Sequence, residues 1–250
     1  MTPRHALVIA PHGAVGNAVA GELRRRGARV TGAGRTPPDP GVVDSFLPLD
    51  LASADWPRLL AEASGDGPLD AIVYAAGSGA FGLAGSIPED QGRAVFEINF
   101  WALTEAARAA AARWTRDGTP GTFLAVLSIA GRRAVPFESY YGASKAAALR
   151  FLEVLDLETP ESIRFVAAAP GLIRSPFRSR AAWHGMAEPP ATGGASPGET
   201  AVALCALLEG SRESRVIGWR ERAIDLADRF APGLYDRLVL RPRIARGHRP

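Results

Sequence analysis

The chain has 250 residues, of which 47% are hydrophobic and 22% charged, a composition typical of a globular domain with a substantial core. Ten of the 29 basic residues and five of the 26 acidic ones fall in 211–250, so this segment carries a formal charge of +5 and the rest −2. This distribution excludes a basic body that wraps nucleic acid, and describes a neutral domain with a basic C-terminal segment.

Other classes are excluded by the apolar runs and the cysteine count. No apolar run approaches the ~18 residues of a membrane span, and ALVIA near the N-terminus is too short for a signal peptide. A single cysteine, Cys205, excludes an internal disulfide framework and favours a reducing compartment. We therefore expect a cytoplasmic protein, and the spacing of Cys and His predicts no metal site.

Strand and helix patterns alternate along the chain. Apolar runs bounded by turn residues predict seven strands, at HALVIA (5–10), ARVTGAG (28–34), VVDSFLPLD (42–50), LDAIVYAAG (69–77), GTFLAVLS (121–128), SIRFVAAAPG (162–171) and SRVIG (214–218). Apolar residues at helical spacing predict helices at 16–27, 56–64, 88–114, 140–158 and 198–210. The helix over 88–114 is expected to be one long Ala-rich helix.

This alternation predicts the α/β class, with a doubly wound, mostly parallel, Rossmann-like sheet in a single domain over 1–215. Its ligand crevice should lie at the carboxyl ends of the strands. Residues 176–197 are rich in Pro, Gly and Ala without a clear element, which favours a mobile substrate loop. Residues 216–250 form a basic, partly helical extension. It could pack on the domain and close the pocket, or touch a membrane or a protein partner.

The turn after the first strand carries part of a dinucleotide-binding pattern. Gly13 and Gly16 precede and enter a helix, but Ala10 stands where an earlier glycine is usual. Glycines there permit a tight turn and close approach of the backbone to a pyrophosphate. The pattern predicts either a dinucleotide site, with its affinity put in doubt by Ala10, or a merely structural turn. His12 could face phosphate or be solvated.

The ends of the second and third strands bear on which dinucleotide would bind. Arg35 follows the second strand, and no carboxylate lies between Arg29 and Pro38. NAD sites place an Asp or Glu there, whereas an arginine accommodates a 2′-phosphate. We therefore expect NADP(H), with NAD(H) less favoured, unless Arg35 is only a surface arginine. Asp50 is placed either to bond the adenine edge or to cap the following turn.

YYGASK contains Lys145, the only lysine in the chain. A coding preference for arginine could produce a lone lysine, but its spacing is informative. Tyr141 and Lys145 are four apart, so on a helix they project from the same face. The lysine charge should favour the phenolate and lower the pKa of Tyr141. Ser128, at the end of a neighbouring strand, opens onto the same crevice.

In this order, the motifs resemble those of short-chain dehydrogenases/reductases, from residue 5 to about 210. The resemblance rests on the glycine turn at 10–16, YAAG at 74–77, Asn99 in FEINFWAL, Ser128 in VLSIAG, YGASK, and AAPGLIRSP after the sixth strand. This sequence departs from the family at Ala10, at Tyr74 and Ala75 in place of paired asparagines, and at Ser175 in place of a threonine. The loss of an asparagine at Ala75 should remove a polar contact near the cofactor.

The resemblance implies roles for four residues. Tyr141 would be the general acid/base that exchanges a proton with the substrate oxygen, and Ser128 would hydrogen-bond that oxygen. Lys145 would also contact the nicotinamide ribose, and Asn99 would hold a water that links Lys145 to solvent. The cofactor positions that it implies are Ala10, His12, Gly13, Ala14, Val15, Gly16, Arg35, Asp50, Leu51, Ala75, Ala76, Gly77, Tyr141, Lys145, Pro170, Gly171, Ile173 and Ser175.

The substrate would meet large apolar side chains. The implied substrate positions are Ile129, Phe137, Leu172, Phe177 and Trp183, with nearby arginines able to meet an anionic group. We predict an NADP(H)-dependent oxidoreductase that interconverts a ketone and a secondary alcohol on a hydrophobic or aromatic small molecule. A dehydratase, epimerase or cyclase with the same tetrad, and a silent cofactor-sensing scaffold, remain open.

The expected partners follow from the same features. We expect a small-molecule substrate, no nucleic acid and no integral membrane span. We also expect pairing into a homodimer or homotetramer through the long helices 88–114 and 140–158.

Overall fold

The structure is a computed structural model that describes residues 2–65, 67–188, 193–210, 215–231, 233, 236–241 and 244. Parts of the predicted substrate loop (189–192), of the last predicted strand (214) and of the C-terminal extension (232, 234–235, 242–243 and 245–250) lie outside the described residues.

Seven parallel strands form the central sheet, as the alternating pattern predicts. They are β1 (His5–Ile9), β2 (Arg29–Gly34), β3 (Ser45–Pro48), β4 (Ala71–Tyr74), β6 (Gly121–Val126), β7 (Ile163–Pro170) and β9 (Arg215–Ile217). Their order across the sheet is β3-β2-β1-β4-β6-β7-β9. The chain therefore reverses direction across the sheet at β1, and a crevice opens between β1 and β4 at their carboxyl ends.

Helices cover both faces of this sheet and divide the core into two layers. Their bounds are α1 (Ala14–Arg25), α2 (Trp56–Ala63), α3 (Glu89–Phe96), α4 (Ala102–Asp117), α5 (Ser139–Glu158), α6 (Pro197–Glu209) and α7 (Trp219–Phe230). Helices α2, α4 and α5 pack on one face, and α1 and α6 pack on the other. All five residues of β1 are buried, as expected for a central parallel strand with both faces covered. The predicted Rossmann-like, single-domain α/β fold is confirmed.

The helix predicted over 88–114 differs from expectation in its middle. It begins as α3, passes through a π-helical turn at Glu97–Trp101, and continues as α4 to Asp117. A π turn inserts one extra residue into the helix and interrupts the regular ladder of backbone hydrogen bonds. Asn99 lies inside this turn, so the irregular part of the helix is the part that enters the site.

A second, two-stranded sheet was not predicted. Strands β5 (Ala80–Gly82) and β8 (Ala182–His184) pair in parallel above the central sheet. The segment 176–197 therefore contains a strand where the sequence showed no clear element. A further isolated β-bridge joins Ile173, which precedes this segment, to Ala195 near the end of the segment. Strands this short leave little periodicity for sequence analysis to detect.

The C-terminal extension is partly helical. Helix α7 follows β9 directly, and a π-helical turn occupies Asp236–Leu240. Among the described residues, none of the helices is both long enough and apolar enough to cross a membrane.

The first turn of the fold is strained at its alanine. Ala10 has φ +62°, in the left-handed region that normally requires glycine. Its N–H donates to the Ala33 carbonyl (2.7 Å), and its own carbonyl accepts the Gly13 N–H (3.1 Å). These bonds hold the turn in place despite the methyl group. Ala10 therefore adopts the left-handed backbone conformation that a glycine would adopt more easily at this position, and this costs conformational energy.

We predict that Ala10→Gly raises the free energy of unfolding by about 0.5–1 kcal/mol, because a left-handed alanine costs about 1–2 kcal/mol and the extra freedom of unfolded glycine offsets part of the gain. Urea unfolding followed by circular dichroism measures the change. Ala18→Gly, in the middle of α1, is the matched control and should destabilise by about 1 kcal/mol. An Ala10→Gly variant that loses as much stability as this control would contradict the strain.

Candidate active site

The four residues predicted to be catalytic meet at the carboxyl ends of β4 and β6. Ser128 follows β6, Asn99 lies in the π turn, and Tyr141 and Lys145 lie in α5. Two of them border Gly77, since a Cβ atom placed there would be 3.5 Å from Asn99 Oδ1 and 3.6 Å from Lys145 Nζ. Gly77 thus leaves open the space between the amide and the amine.

The turn from β1 to α1 forms a cradle that side chains would fill. A Cβ atom on Gly16 would clash with the Ala10 carbonyl oxygen, so only glycine fits there. The first turn of α1 starts at Ala14 and holds no acidic residue. Its unpaired N–H groups and the positive end of the helix dipole suit an anion such as a pyrophosphate.

The end of β2 presents two exposed nitrogen-bearing side chains on this side of the crevice. Arg35 follows Gly34 and is exposed, and His12 is exposed as well. A Cβ atom on Gly34 would lie 3.5 Å from His12 Nδ1, so His12 packs beside the residue that precedes Arg35. The pair is placed to donate hydrogen bonds to a phosphate at the end of β2.

Asp50 caps the turn that follows β3, one of the two roles considered for it, and its contact with an adenine stays a prediction. Its Oδ1 accepts the Ala52 N–H at 3.1 Å, an Asx-type turn at the end of β3. Its carboxylate is exposed, and the neighbouring Leu51 packs against the core.

The end of β4 makes a polar contact that was not expected from the sequence. Tyr74 stands where the family has an asparagine, and its buried hydroxyl donates to the Ile98 carbonyl at 2.8 Å. Ile98 belongs to the π turn, where carbonyls are released from the helical ladder. The phenol therefore supports the turn that carries Asn99, while Ala75 and Ala76 continue toward Gly77 without polar side chains.

Asn99 is fully buried and ties together three segments of the site. Its Oδ1 accepts the Ser78 N–H (2.9 Å), and its Nδ2 donates to the Ser78 carbonyl (2.8 Å) and to Ser144 Oγ (3.0 Å). Ser144 Oγ in turn donates to the Tyr141 carbonyl (2.8 Å). The side chain of Asn99 thus fixes the loop after β4 against the first turns of α5.

Tyr141 is buried and hydrogen-bonded to Ser128. Burial raises its pKa above the ordinary value and the nearby Glu138 carboxylate adds to the rise, while the Ser128 bond and the Arg178 charge oppose it. The expectation that this pKa is lowered is wrong for this structure, because desolvation outweighs the favourable charges. Tyr141 is therefore a protonated hydroxyl at neutral pH, suited to donate a proton.

Ser128 also caps the 3₁₀ turn at Ile129–Gly131. Its Oγ accepts the Ala130 N–H at 3.1 Å. This bond orients the hydroxyl toward α5, where Tyr141 lies.

Lys145 is a buried amine on α5 that is hydrogen-bonded to the end of β6. Its Nζ donates to the Val126 carbonyl (3.1 Å) and lies 5.9 Å from the centre of the Tyr141 ring. Burial lowers the pKa of Lys145 to about 8. The amine is held close to the phenol without a direct bond to its oxygen.

The two adjacent tyrosines point in different directions. Tyr140 packs against Gly92 of α3, where a Cβ atom would lie 2.6 Å from the ring. Tyr141 faces the site instead. The four-residue spacing from Lys145 therefore selects the tyrosine that structure places beside Ser128.

The segment after β7 forms the far wall of the crevice. Pro170 ends β7, and the half-buried Leu172 and Ile173 follow Gly171. The backbone here pairs with residue 195, through the Leu172 carbonyl and the Ala195 N–H at 2.9 Å. Ser175 is half-buried at the start of the substrate loop.

Helix α7 contacts both walls of the site, in agreement with the first alternative for the C-terminal extension, in which it packs on the domain. A Cβ atom on Gly171 would lie 2.6 Å from Oε1 of Glu221, so this carboxylate lies directly over the glycine. On the other wall, Arg132 pairs with Asp225 through two contacts of 3.1 and 3.4 Å, and both side chains are largely buried. The first turns of α7 thus hold the segments that follow β6 and β7.

Tyr141 belongs to an aromatic cluster, which we define as Phe81, Tyr141, Phe177 and Trp183. Phe81 is at its centre, with ring centroids 5.4 Å from Tyr141, 6.1 Å from Phe177 and 5.2 Å from Trp183. Phe177 also lies 5.7 Å from Tyr141. The structure therefore places two of the five predicted substrate residues, Phe177 and Trp183, in one cluster with the Tyr141 ring.

Arg178 is held against this cluster. Its guanidinium lies 4.9 Å from the Phe81 and Trp183 ring centroids and pairs with Glu138 at the start of α5. Paired in this way, Arg178 stacks on the aromatic rings and links the substrate loop to α5.

The other predicted substrate residues lie elsewhere. Ile129 is buried against Ala169 and Val216, away from the aromatic cluster. Phe137 has φ +72°, and its carbonyl accepts the Gly82 N–H at 2.9 Å, which ties β5 to the segment before α5. Leu172 lies in the far wall described above.

Sequence reasoning missed Phe81, Ser78, Ser144, Glu138, Glu221 and Asp225. Only Ser144 had a detectable signal, because it lies three residues after Tyr141 on the buried face of the same helix. The others reach the site through loops, a three-residue strand and the C-terminal helix.

Comparisons with known proteins identify relatives of this chain. Residues 4–184 match a family model described as short chain dehydrogenase. D-erythrulose reductase of Gallus gallus is 29% identical over 179 residues, covering 68% of this chain and 71% of that protein. L-xylulose reductase of Mus musculus is 26% identical over 183 residues, covering 70% of this chain and 73% of that protein.

Solved structures share the fold. A short chain dehydrogenase from Burkholderia cenocepacia J2315 in complex with NADP superposes with a TM-score of 0.78 at 23% identity, covering 94% of this chain and 97% of that one. An alcohol dehydrogenase from Thermococcus sibiricus complexed with 5-hydroxy-NADP gives 0.72 at 21% identity, covering 86% and 95%. With the family match over most of its length, this chain belongs to the short-chain dehydrogenase family of oxidoreductases.

Proposed function

We propose that this protein is an NADP(H)-dependent reductase that interconverts a ketone and a secondary alcohol on a hydrophobic or aromatic small molecule. The observation that carries the proposal is the buried Tyr141 hydroxyl, hydrogen-bonded to Ser128 and bordered by the aromatic cluster. A protonated phenol in this position can give its proton to a carbonyl oxygen that Ser128 also contacts.

The glycine cradle and the nitrogen donors beside it support the binding of a dinucleotide. The α1 N-terminus would take the pyrophosphate, and the walls at Gly77 and Gly171 would enclose the nicotinamide half. When bound, the cofactor supplies or accepts the hydride. Lys145 would bond its ribose, and Ile173 and Ser175 would contact its carboxamide.

The preference for NADP(H) is supported by the end of β2. Arg35 and His12 offer donors there, and the sequence has no carboxylate between Arg29 and Pro38. Arginine forms strong charge-assisted bonds to phosphate. Two structural neighbours are also described as complexes with NADP and 5-hydroxy-NADP.

Reduction of a carbonyl is supported by two lines of evidence. Relatives of this chain are named D-erythrulose reductase and L-xylulose reductase. The Tyr141 phenol, protonated at neutral pH, can act as the acid that reduction requires. The aromatic cluster, with Phe81 fully buried, favours a substrate less polar than those names describe.

We further propose that the protein is cytoplasmic and that its copies associate with one another. A single free, buried thiol, Cys205, suits a reducing compartment. Trp101, Val154 and Leu157 are exposed large apolar residues on the long helices, at 53%, 45% and 83%. Such a surface supports pairing of two or four copies through these helices.

Tyr141→Phe should lower kcat by about 10²–10⁴-fold, because general acid catalysis contributes that much, and should leave NADPH affinity within about twofold. Ketone reduction followed by NADPH absorbance, with NADPH binding by fluorescence, measures both. Tyr140→Phe is the matched control and should retain activity. Full activity of Tyr141→Phe would remove the acid from the mechanism, and a wild type that binds neither NADPH nor NADH would refute the redox function.

Arg35→Ala should weaken NADPH binding by about 10- to 100-fold and leave NADH binding nearly unchanged, because only NADPH carries the 2′-phosphate and a charged hydrogen bond contributes about 1.5–3 kcal/mol. Fluorescence titration gives both dissociation constants. Arg29→Ala, at the other end of β2, is the control and should affect neither. Equal losses for the two cofactors would count against a phosphate contact.

Lys145→Met should abolish turnover yet raise the free energy of unfolding by up to about 3 kcal/mol at pH 7, less about 1 kcal/mol for the unpaired Val126 carbonyl. The folded pKa of Lys145, about 8, lies below the ordinary 10.5, so the unfolded chain binds more protons between these values. The cost of the buried cation is complete below pH 8 and disappears as the pH rises toward 10.5.

Chemical denaturation of wild type and variant at pH 7 and at pH 10 checks this window. Arg150→Met, an exposed cation on α5, is the control and should change stability equally at both pH values. A stability gain of Lys145→Met that does not shrink at pH 10 would contradict the burial of a charged amine.

A further inference from the structure

Helix α7 exposes its apolar side to solvent. Trp219, Ala223, Leu226 and Phe230 recur at spacings of four, three and four residues, so they lie in one row along the helix. We call this row the apolar stripe. Trp219 is 78% exposed, Leu226 56% and Phe230 83%. Three large apolar side chains in one exposed row are unusual on a globular surface.

The opposite side of α7 carries its acidic residues. Asp225 is buried in its ion pair with Arg132, and Glu221 lies over Gly171. Asp228, on the same side of the helix, is half-buried. The acidic side of α7 therefore faces the domain and the apolar side faces solvent, the reverse of an ordinary surface helix. The contacts of Asp225 and Glu221 fix this orientation.

Arginines border the stripe on both sides. Arg220 lies on one side, with its guanidinium 6.0 Å from the Trp219 ring centroid. Arg222 and Arg229 lie on the other side, and both are exposed. Long arginine side chains can cover apolar surface with their stems while their charged ends reach outward.

We propose that α7 docks on an anionic lipid bilayer, with the apolar stripe at the boundary of headgroups and acyl chains and the bordering arginines on lipid phosphates. An apolar row with a tryptophan and a basic border is the surface that such membranes bind. The charge of the region agrees, since residues 211–250 carry +5. The association is peripheral, because the helix lies along the surface of the domain.

A second copy of the chain fits this face less well. A two-fold contact would bring Arg220, Arg222 and Arg229 of one copy against the same residues of the other. Asp225 offsets part of this charge, because its Oδ2 lies 3.5 Å from Arg229 Nε, but this carboxylate is buried and also pairs with Arg132. An anionic surface supplies the opposite charge directly.

The inference is independent of the proposed reaction. It concerns the outer side of α7, whereas Tyr141 and the cofactor positions lie on other elements. Vesicle binding can be measured without substrate or cofactor, and reductase activity can be measured without vesicles, so the failure of one proposal leaves the other testable.

Co-sedimentation of the full chain with vesicles tests the docking. Wild type should bind vesicles of phosphatidylcholine and phosphatidylglycerol in roughly equal amounts, at least about tenfold more tightly than pure phosphatidylcholine, and added salt should weaken binding. The stripe variant Trp219→Ser/Leu226→Ser/Phe230→Ser should lose about tenfold or more of this affinity. The control Val202→Ser, which removes an exposed apolar residue of α6 outside the proposed self-association surface, should bind as wild type does.

Three outcomes would overturn the proposal. The first is a wild type that binds no vesicles, and the second is a folded stripe variant that binds vesicles as tightly as wild type. The third is a stripe variant whose main change is a smaller assembly by light scattering, because this result would assign the face to a second copy. If the stripe variant does not fold, Trp219 fluorescence decides. Its emission should shift to the blue on anionic vesicles, and Trp219→Phe should lose that shift; an unchanged spectrum would refute docking.

Discussion

The buried amide of Asn99 holds the candidate site together, because three separate segments depend on its hydrogen bonds. The loop after β4 bonds both ends of the amide, and Ser144 of α5 accepts its third hydrogen bond. In a regular α-helix the ladder of backbone hydrogen bonds would continue unbroken past Asn99. The π turn interrupts this ladder, and the Asn99 side chain enters the crevice there. The Tyr74 hydroxyl then supports the same turn from below. A buried polar group of this kind is costly unless every bond is made, so the arrangement specifies one geometry.

Much of this architecture follows from local signals. Strands such as HALVI are buried on both faces, and the alternation of strands and helices leaves few possible topologies. The Tyr141–Lys145 spacing and Ser128 at a strand end place the reacting groups on one edge of the sheet. These features depend on periodicity and chain order, which a sequence contains directly.

The remaining features depend on contacts between distant segments. Phe81 reaches Tyr141 through a three-residue strand, and Asp225 reaches Arg132 across 93 positions. The Tyr74 substitution looks like the loss of a polar brace until its hydroxyl is seen on the Ile98 carbonyl. The pKa of Tyr141 was expected in the wrong direction because a sequence shows the neighbouring lysine but not the depth of burial.

The lone lysine has a practical consequence for chemistry at this site. Since Lys145 is the only lysine, acylating reagents find one ε-amine in the whole sequence, and it is 2% exposed. Its modification therefore has to wait until the surrounding segments separate. The rate of acylation at this ε-amine, followed by peptide mapping so that any α-amine is counted separately, becomes a clock for opening of the crevice, and no label has to be engineered into the chain to read it.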